Sequence, residues 1–266
     1  MRIIEAVILG AVQGLTEFLP VSSSGHLALL QKIFGVSGNG IQGALLFDTM
    51  VHAGTAAAVA VVLWKDIWAL LKKPIQPLVG RLIIATIPAA TAALFFKDRI
   101  EAVFASGLIF GMPFLGAAFL ITSALLAAAE ALSRKQERAR KRIRVVDAVI
   151  IGCLQAVAII PGVSRSGATL SGALSRRIDR DVAARFSFLL SIPAILGALS
   201  LQVIDLASGK AEAGAAAAPL AAGTLTAAVV GFFAVKLMLK LVRERRLWGF
   251  AVYTGVLGAL TLILWK

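Results

Sequence analysis

The sequence predicts an all-α protein: a polytopic membrane helical bundle with inverted repeats, about six full transmembrane helices and two re-entrant helix-loop-helix hairpins. Three observations predict it. Hydrophobic residues make up 59% of the chain and charged residues 15%, and the mean hydropathy is +0.90, well beyond a soluble domain's composition. Apolar runs recur along the whole length with short polar breaks between them. The opening pattern also returns in the second half, around a polar turn of the same kind.

The first element, Ile3 to Leu19, is broken by Pro20-Val21-Ser22-Ser23-Ser24-Gly25-His26, and a short apolar piece follows from Leu27 to Phe34. Each piece is shorter than the roughly 20 residues that span hydrocarbon, so the pair reads as a re-entrant hairpin. Full spans are expected at about Phe47 to Trp64, Leu82 to Phe96 and Gly107 to Leu132. A basic linker at about 133–145 then interrupts the chain. Beyond it, Val149-Ile150-Ile151-Gly152-Cys153-Leu154-Gln155 mirrors Val7-Ile8-Leu9-Gly10-Ala11-Val12-Gln13, and Val163-Ser164-Arg165-Ser166-Gly167 falls on Val21-Ser22-Ser23-Ser24-Gly25. This is an internal repeat. Further spans are expected at about Phe186 to Leu206, Pro219 to Leu241 and Trp248 to Leu264. The chain therefore reads as one membrane domain, 1–266, with repeats at about 1–132 and 146–266.

A net charge of +13 would suggest a nucleic-acid partner in a soluble protein. Here the basic residues sit in short clusters between apolar spans, as an anionic cytoplasmic leaflet demands, and no nucleic-acid partner is expected. One set of loops collects Lys65, Lys72, Lys73, Arg81, the Arg134 to Arg144 cluster, Arg176, Arg177, Arg180, Arg185, Lys236, Lys240, Arg243, Arg245 and Arg246. The opposite set holds Arg2, Lys32, Lys97, Arg99, Lys210 and Lys266. That asymmetry assigns the first set to the cytoplasm. The first hairpin then faces outward and the second enters from the cytoplasm, which inverts the repeats. The lone Cys153 excludes a disulfide within the monomer.

Irregular backbone at membrane depth is tolerated only beside protein or a water-filled cavity, so the two Ser/Gly turns imply a polar cavity. The amides that open each following half-helix suit an anion, and phosphate is the natural candidate. Ser22, Ser24, Gly25, Ser164, Ser166, Gly167 and Thr169 are the expected phosphate contacts. Arg165 adds a planar fork that matches phosphate oxygens. Gln13 and Glu17 project from one helix face just before the first turn. Glu17 serves either as a general base or as an oxygen ligand for Mg²⁺ or Ca²⁺. Ser23 and His26 both stand as candidate nucleophiles, and His26 also as a general acid or base. Asp48 and His52, four residues apart, are expected to line the cavity mouth or assist a metal, or simply to sit at the membrane interface.

The runs Gln13-Gly14-Leu15-Thr16-Glu17-Phe18-Leu19-Pro20-Val21-Ser22-Ser23-Ser24-Gly25-His26 and Pro161-Gly162-Val163-Ser164-Arg165-Ser166-Gly167-Ala168-Thr169 resemble the paired signatures of the undecaprenyl-diphosphate phosphatase family, also called bacitracin resistance proteins. The resemblance covers nearly the whole chain. It implies hydrolysis of undecaprenyl diphosphate to undecaprenyl phosphate and phosphate, recycling the lipid carrier of cell-wall precursors in the bacterial inner membrane. It places the family's Glu/Gln-x-x-x-Glu motif on Gln13 and Glu17, its catalytic serine and histidine on Ser23 and His26, and its phosphate-binding arginine on Arg165. It also implies a divalent metal ion, Mg²⁺ or Ca²⁺, although Gln13 adds an oxygen without adding charge.

The expected partners are a polyprenyl diphosphate lipid and the surrounding membrane lipids; the oligomeric state is left open, with a homodimer as one expectation. The competing reading is a polyprenyl-phosphate or phosphate transporter or flippase, which the inverted repeat also suits. The type 2 phosphatidic acid phosphatase pattern is absent, since the only histidines, His26 and His52, both lie upstream of Arg165.

Overall fold

A computed structural model describes residues 1–35, 41–105, 112–134, 139–207, 217–244 and 246–264. Those residues form helices α1 (Ile3–Thr16), α2 (Ser23–Ile33), α3 (Ile41–Val62), α4 (Trp64–Lys72), α5 (Pro77–Ala105), α6 (Met112–Arg134), α7 (Val145–Val157), α8 (Arg165–Ser175), α9 (Arg180–Ala207), α10 (Ala217–Arg243) and α11 (Trp248–Leu264). Among the described residues the only β pairing is an isolated bridge between Arg140 and Ile178.

Both expected hairpins are present as half-length helices around a turn. α1 stops where Pro20 approaches, because proline lacks an N–H and forces the residue before it out of the helical region. The turn then passes through Ser22 at φ 72°, a left-handed conformation uncommon for a residue with a side chain. In the second hairpin Gly162 takes the positive φ, at 89°. A Cβ there would also lie 2.7 Å from Leu115 Cδ1, so glycine is required twice over.

The repeat extends to single hydrogen bonds. The Ser22 hydroxyl accepts the Gly25 amide at 3.2 Å, and the Ser164 hydroxyl accepts the Gly167 amide at 3.1 Å. At the opposite helix ends, the Arg2 amide donates to Glu5 at 2.8 Å and the Arg144 amide to Asp147 at 2.9 Å. These are the same N-terminal caps at corresponding positions. The halves also interlock: α1 packs on α10 of the second half, and α7 packs on α5 of the first. Gly10 meets the backbone of Gly223, and a Cβ on Gly152 would lie 2.6 Å from the Ala85 carbonyl oxygen.

Over the described residues all six expected spans are helical, with differences in length. Pro77–Phe96, Pro113–Ser133, Arg180–Leu201 and Ala217–Arg243 are each long and apolar enough to cross a membrane. The expected span from Phe47 corresponds to α3, and α4 turns from it by 79°, so the two make a fifth only if taken as one broken span. α11 is helical over 17 residues, shorter than a straight crossing requires. The start of the span expected from Gly107 lies outside the described residues, as do Lys135, Arg138, Lys210, Arg245, Lys266 and the side chains of Lys97, Arg99 and Arg134.

The outer surface is apolar, with Ile83, Ile87, Phe95, Val229 and Phe233 more than half exposed, while Gln13, Thr55, Asp147 and Thr169 are buried. That inside-out distribution is what lipid selects. One end of the bundle is held by ion pairs. Asp147, fully buried, accepts from Arg140 at 3.0 Å and from Arg176 at 3.0 Å, while Arg180 reaches Glu130 at 2.9 Å. Arg140 is thus a structural tie within the basic linker. Asp147→Ala is expected to destabilise the protein by about 2–3 kcal/mol, less than a fully buried pair costs because both arginines keep some solvent; a thermal unfolding curve in detergent reads it.

Candidate active site

The two hairpin turns meet inside the bundle. The Gly162 amide donates to the Ser24 hydroxyl at 3.3 Å, and the Ser166 hydroxyl donates to the Leu19 carbonyl at 3.1 Å. Ser164 is anchored in turn to α6, its amide donating to Thr122 Oγ1 at 3.0 Å. Beside this seam lies a cavity of about 410 Å³. Its polar lining comes from Glu17, Ser22, Ser23, Ser24, Asp48, Thr49, His52, Ser164 and Arg165, and α9 contributes an apolar wall through Ala194, Ile195 and Ala198.

Glu17 is the hub. Its side chain is 5% exposed, and its two oxygens face different partners. Oε1 accepts from the Arg165 guanidinium. Oε2 accepts from Ser23 Oγ at 2.6 Å and Gln13 Nε2 at 3.0 Å, and faces His52 Nε2 at 3.4 Å. A serine hydroxyl that donates to a carboxylate is poised to lose its proton to it. Arg165 spends one nitrogen on Glu17, which leaves further N–H donors of its fork for an anion in the cavity. The N-termini of α2 and α8 begin at this same cavity, adding the positive ends of two helix dipoles.

His26 takes a different place from the one the motif suggests. Its Nδ1 lies 2.7 Å from the Ser22 carbonyl, which can only accept, so Nδ1 carries the hydrogen. In the neutral ring Nε2 is then an acceptor, and the Tyr253 hydroxyl donates to it at 2.7 Å. Tyr253 also stacks on the imidazole, with ring centroids 5.7 Å apart, and Phe119 meets it edge-on at 5.5 Å. Both nitrogens are engaged away from the cavity. His26 holds the carbonyl of Ser22, the residue in the left-handed conformation, and thereby positions Ser23. His26→Ala is therefore expected to cost activity about ten- to a hundredfold, the scale of a misplaced group. Tyr253→Phe, which removes one hydrogen bond, should cost about fivefold. Steady-state turnover by the two variants checks both figures.

The imidazole that does face the cavity is His52. Its Nδ1–H donates to the Asp48 carbonyl at 2.6 Å, turning Nε2 toward Glu17. Asp48 is fixed by Gln31, whose amide donates to Oδ1 at 2.7 Å. Of the expected phosphate contacts, Ser22, Ser24 and Ser164 line the cavity. Gly25 and Gly167 have their amides taken by the capping serines. Ser166 is bound to the Leu19 carbonyl, and Thr169 is fully buried against Ser187. These four build the turns.

A resident divalent ion would need several oxygens converging on one point. Both Glu17 oxygens already accept hydrogen bonds, and Gln13 turns its amide nitrogen toward Glu17 while its buried Oε1 has no partner. Among the described residues no three histidine, cysteine or acidic side chains converge to hold a metal. As arranged, these residues do not fit a protein-held metal site.

Fold and site together define a class: a polytopic helical membrane protein with a serine–glutamate–arginine cluster buried between two re-entrant turns. Within that class, the chain belongs to the bacitracin resistance protein BacA family, whose sequence profile matches residues 6–260. It is 45% identical to an undecaprenyl-diphosphatase of Carboxydothermus hydrogenoformans, over 99% of this chain and 98% of that one. It is 44% identical to undecaprenyl-diphosphatase 3 of Bacillus cereus, again over 99% and 98%, and 40% identical to an undecaprenyl-diphosphatase of Syntrophotalea carbinolica, over 98% of each chain.

Proposed function

We propose that this protein hydrolyses undecaprenyl diphosphate to undecaprenyl phosphate and inorganic phosphate, and that Ser23 is its nucleophile. The observation that carries this reading is the 2.6 Å hydrogen bond from Ser23 Oγ to Glu17 Oε2, with Arg165 on the carboxylate's other oxygen. Ser23 Oγ attacks the terminal phosphorus as Glu17 accepts its proton. The bond to the bridging oxygen breaks, and undecaprenyl phosphate leaves. Water then attacks the phosphoserine and keeps its hydrogens on the departing phosphate, the Ser23–phosphorus bond breaks, and Glu17 returns the proton it holds to the Ser23 oxygen, which regenerates the base. Arg165 stabilises the charge that develops on the equatorial oxygens, where fixed positive charge lowers the barrier most. The prenyl chain lies along the apolar α9 wall toward the lipid.

In this reading the protein sits in the bacterial cytoplasmic membrane, with its basic loops in the cytoplasm and the cavity opening outward. The inverted orientation of the repeats rests on the charge asymmetry of the loops. A divalent ion, Mg²⁺ or Ca²⁺, accompanies the diphosphate as its counter-ion. The transporter reading is less well supported, because a carrier needs groups that bind phosphate but no serine aligned on a base.

The experiment is phosphate release from undecaprenyl diphosphate by the purified protein in detergent. Arg165→Ala is expected to lower turnover by about a hundred- to a thousandfold, as loss of a transition-state donor does. Arg165→Lys should recover only part of it, because an ammonium lacks the planar fork. Full activity in a folded Arg165→Ala preparation would refute the role given to this residue.

A further inference from the structure

A second cavity, sharing no residue with the catalytic one, lies where α5 meets α7. It measures about 530 Å³ and is lined by Arg81, Arg140, Lys141, Arg142, Ile143, Arg144 and Val145. Arg140 is committed to Asp147 and to the Arg176 carbonyl. The other four cations have no carboxylate within ion-pair distance among the described residues, and the Nε of Arg81 is buried without a hydrogen-bond partner. Four uncompensated cations around one hollow repel each other, and an anion relieves that repulsion.

The surroundings say which anion. Val145, which lines the cavity, and Val149 on α7 are 50% and 41% exposed, and α5 beside them is 11% buried over Pro77–Phe96. The two valines are spaced one helical turn apart, so they form an apolar strip that starts at the basic hollow. A charged pocket capping an apolar strip matches a molecule with a phosphate at one end and hydrocarbon at the other. We propose that this pocket binds the headgroup phosphate of an anionic phospholipid, with its acyl chains lying along the Val145–Val149 strip of α7. Basic pockets between transmembrane helices take such headgroups.

α7 leads directly into the turn that carries Arg165, and Arg144, its N-terminal flank, lines the lipid pocket.

Native mass spectrometry of the full chain in neutral detergent tests this, with phosphatidylglycerol, phosphatidylcholine and inorganic phosphate as probes. Phosphatidylglycerol is expected to remain bound where phosphatidylcholine dissociates, and excess inorganic phosphate should not displace it. Arg81→Gln and Arg142→Gln should each weaken it about fivefold, the worth of one basic residue near an anionic headgroup. Arg142 is solvent-exposed, so that variant carries the test even if Arg81→Gln misfolds. Lys72→Gln with Lys73→Gln, on the exposed end of α4, should leave affinity unchanged. Equal retention of phosphatidylcholine, displacement by phosphate, or an equal loss in the lysine variant would each overturn the proposal.

Discussion

Ser23→Ala is expected to abolish phosphate release from undecaprenyl diphosphate, a loss of about ten-thousandfold or more, because no other hydroxyl takes over a nucleophile's covalent role. Ser22 and Ser24 flank it but are otherwise engaged. Ser22 Oγ accepts the Gly25 amide, and Ser24 Oγ accepts from Gly162. Neither is hydrogen-bonded to the Glu17 carboxylate, as Ser23 is. The variant loses only one hydroxyl from a half-exposed side chain, so the protein should remain folded and still bind its substrate. A KM close to that of the wild type, with turnover gone, is the expected pattern.

Glu17→Gln is the second large effect, expected at about a hundred- to ten-thousandfold in turnover, the range for a lost general base. It separates two roles of the same side chain. The amide keeps the shape and can still accept from Arg165, but it cannot take the Ser23 proton. Stability should fall by less than activity does, since Arg165 loses its counter-charge but keeps a hydrogen-bond acceptor and some solvent. Glu17→Ala should behave worse, because it leaves Arg165 without its partner and Gln13 without its acceptor. Thermal unfolding alongside turnover distinguishes the two variants.

Much of this site was legible in the sequence, for a physical reason. Charged and polar residues are costly in apolar segments, so Glu17, Arg165 and the two Ser/Gly turns stood out against their surroundings. The repeat was legible too, because it is written in the same residues that form the caps. What escaped the sequence was the direction of side chains. His26 looked like a participant because it follows the serines, yet one helical turn of α2 aims it at Tyr253, the only tyrosine in the chain and 227 positions away.

His52 stood only as a possibility at the cavity mouth, since nothing in α3 shows that it faces α1. The misassigned glycines were readable in principle. A serine three residues before Gly25 or Gly167 is the spacing of an N-cap, whose hydroxyl takes that amide before a ligand can. The bend between α3 and α4 left no proline or glycine at Leu63 or Trp64 to announce it.

The measurement that tests the central claim most directly is a rapid acid quench of the purified protein while it turns over undecaprenyl diphosphate labelled in its terminal phosphate, followed by peptide mapping. The account predicts acid-stable phosphoserine at Ser23, absent from Ser23→Ala, which should also release no phosphate. Hydrolysis by Ser23→Ala at the wild-type rate, or label recovered on another residue, would contradict it.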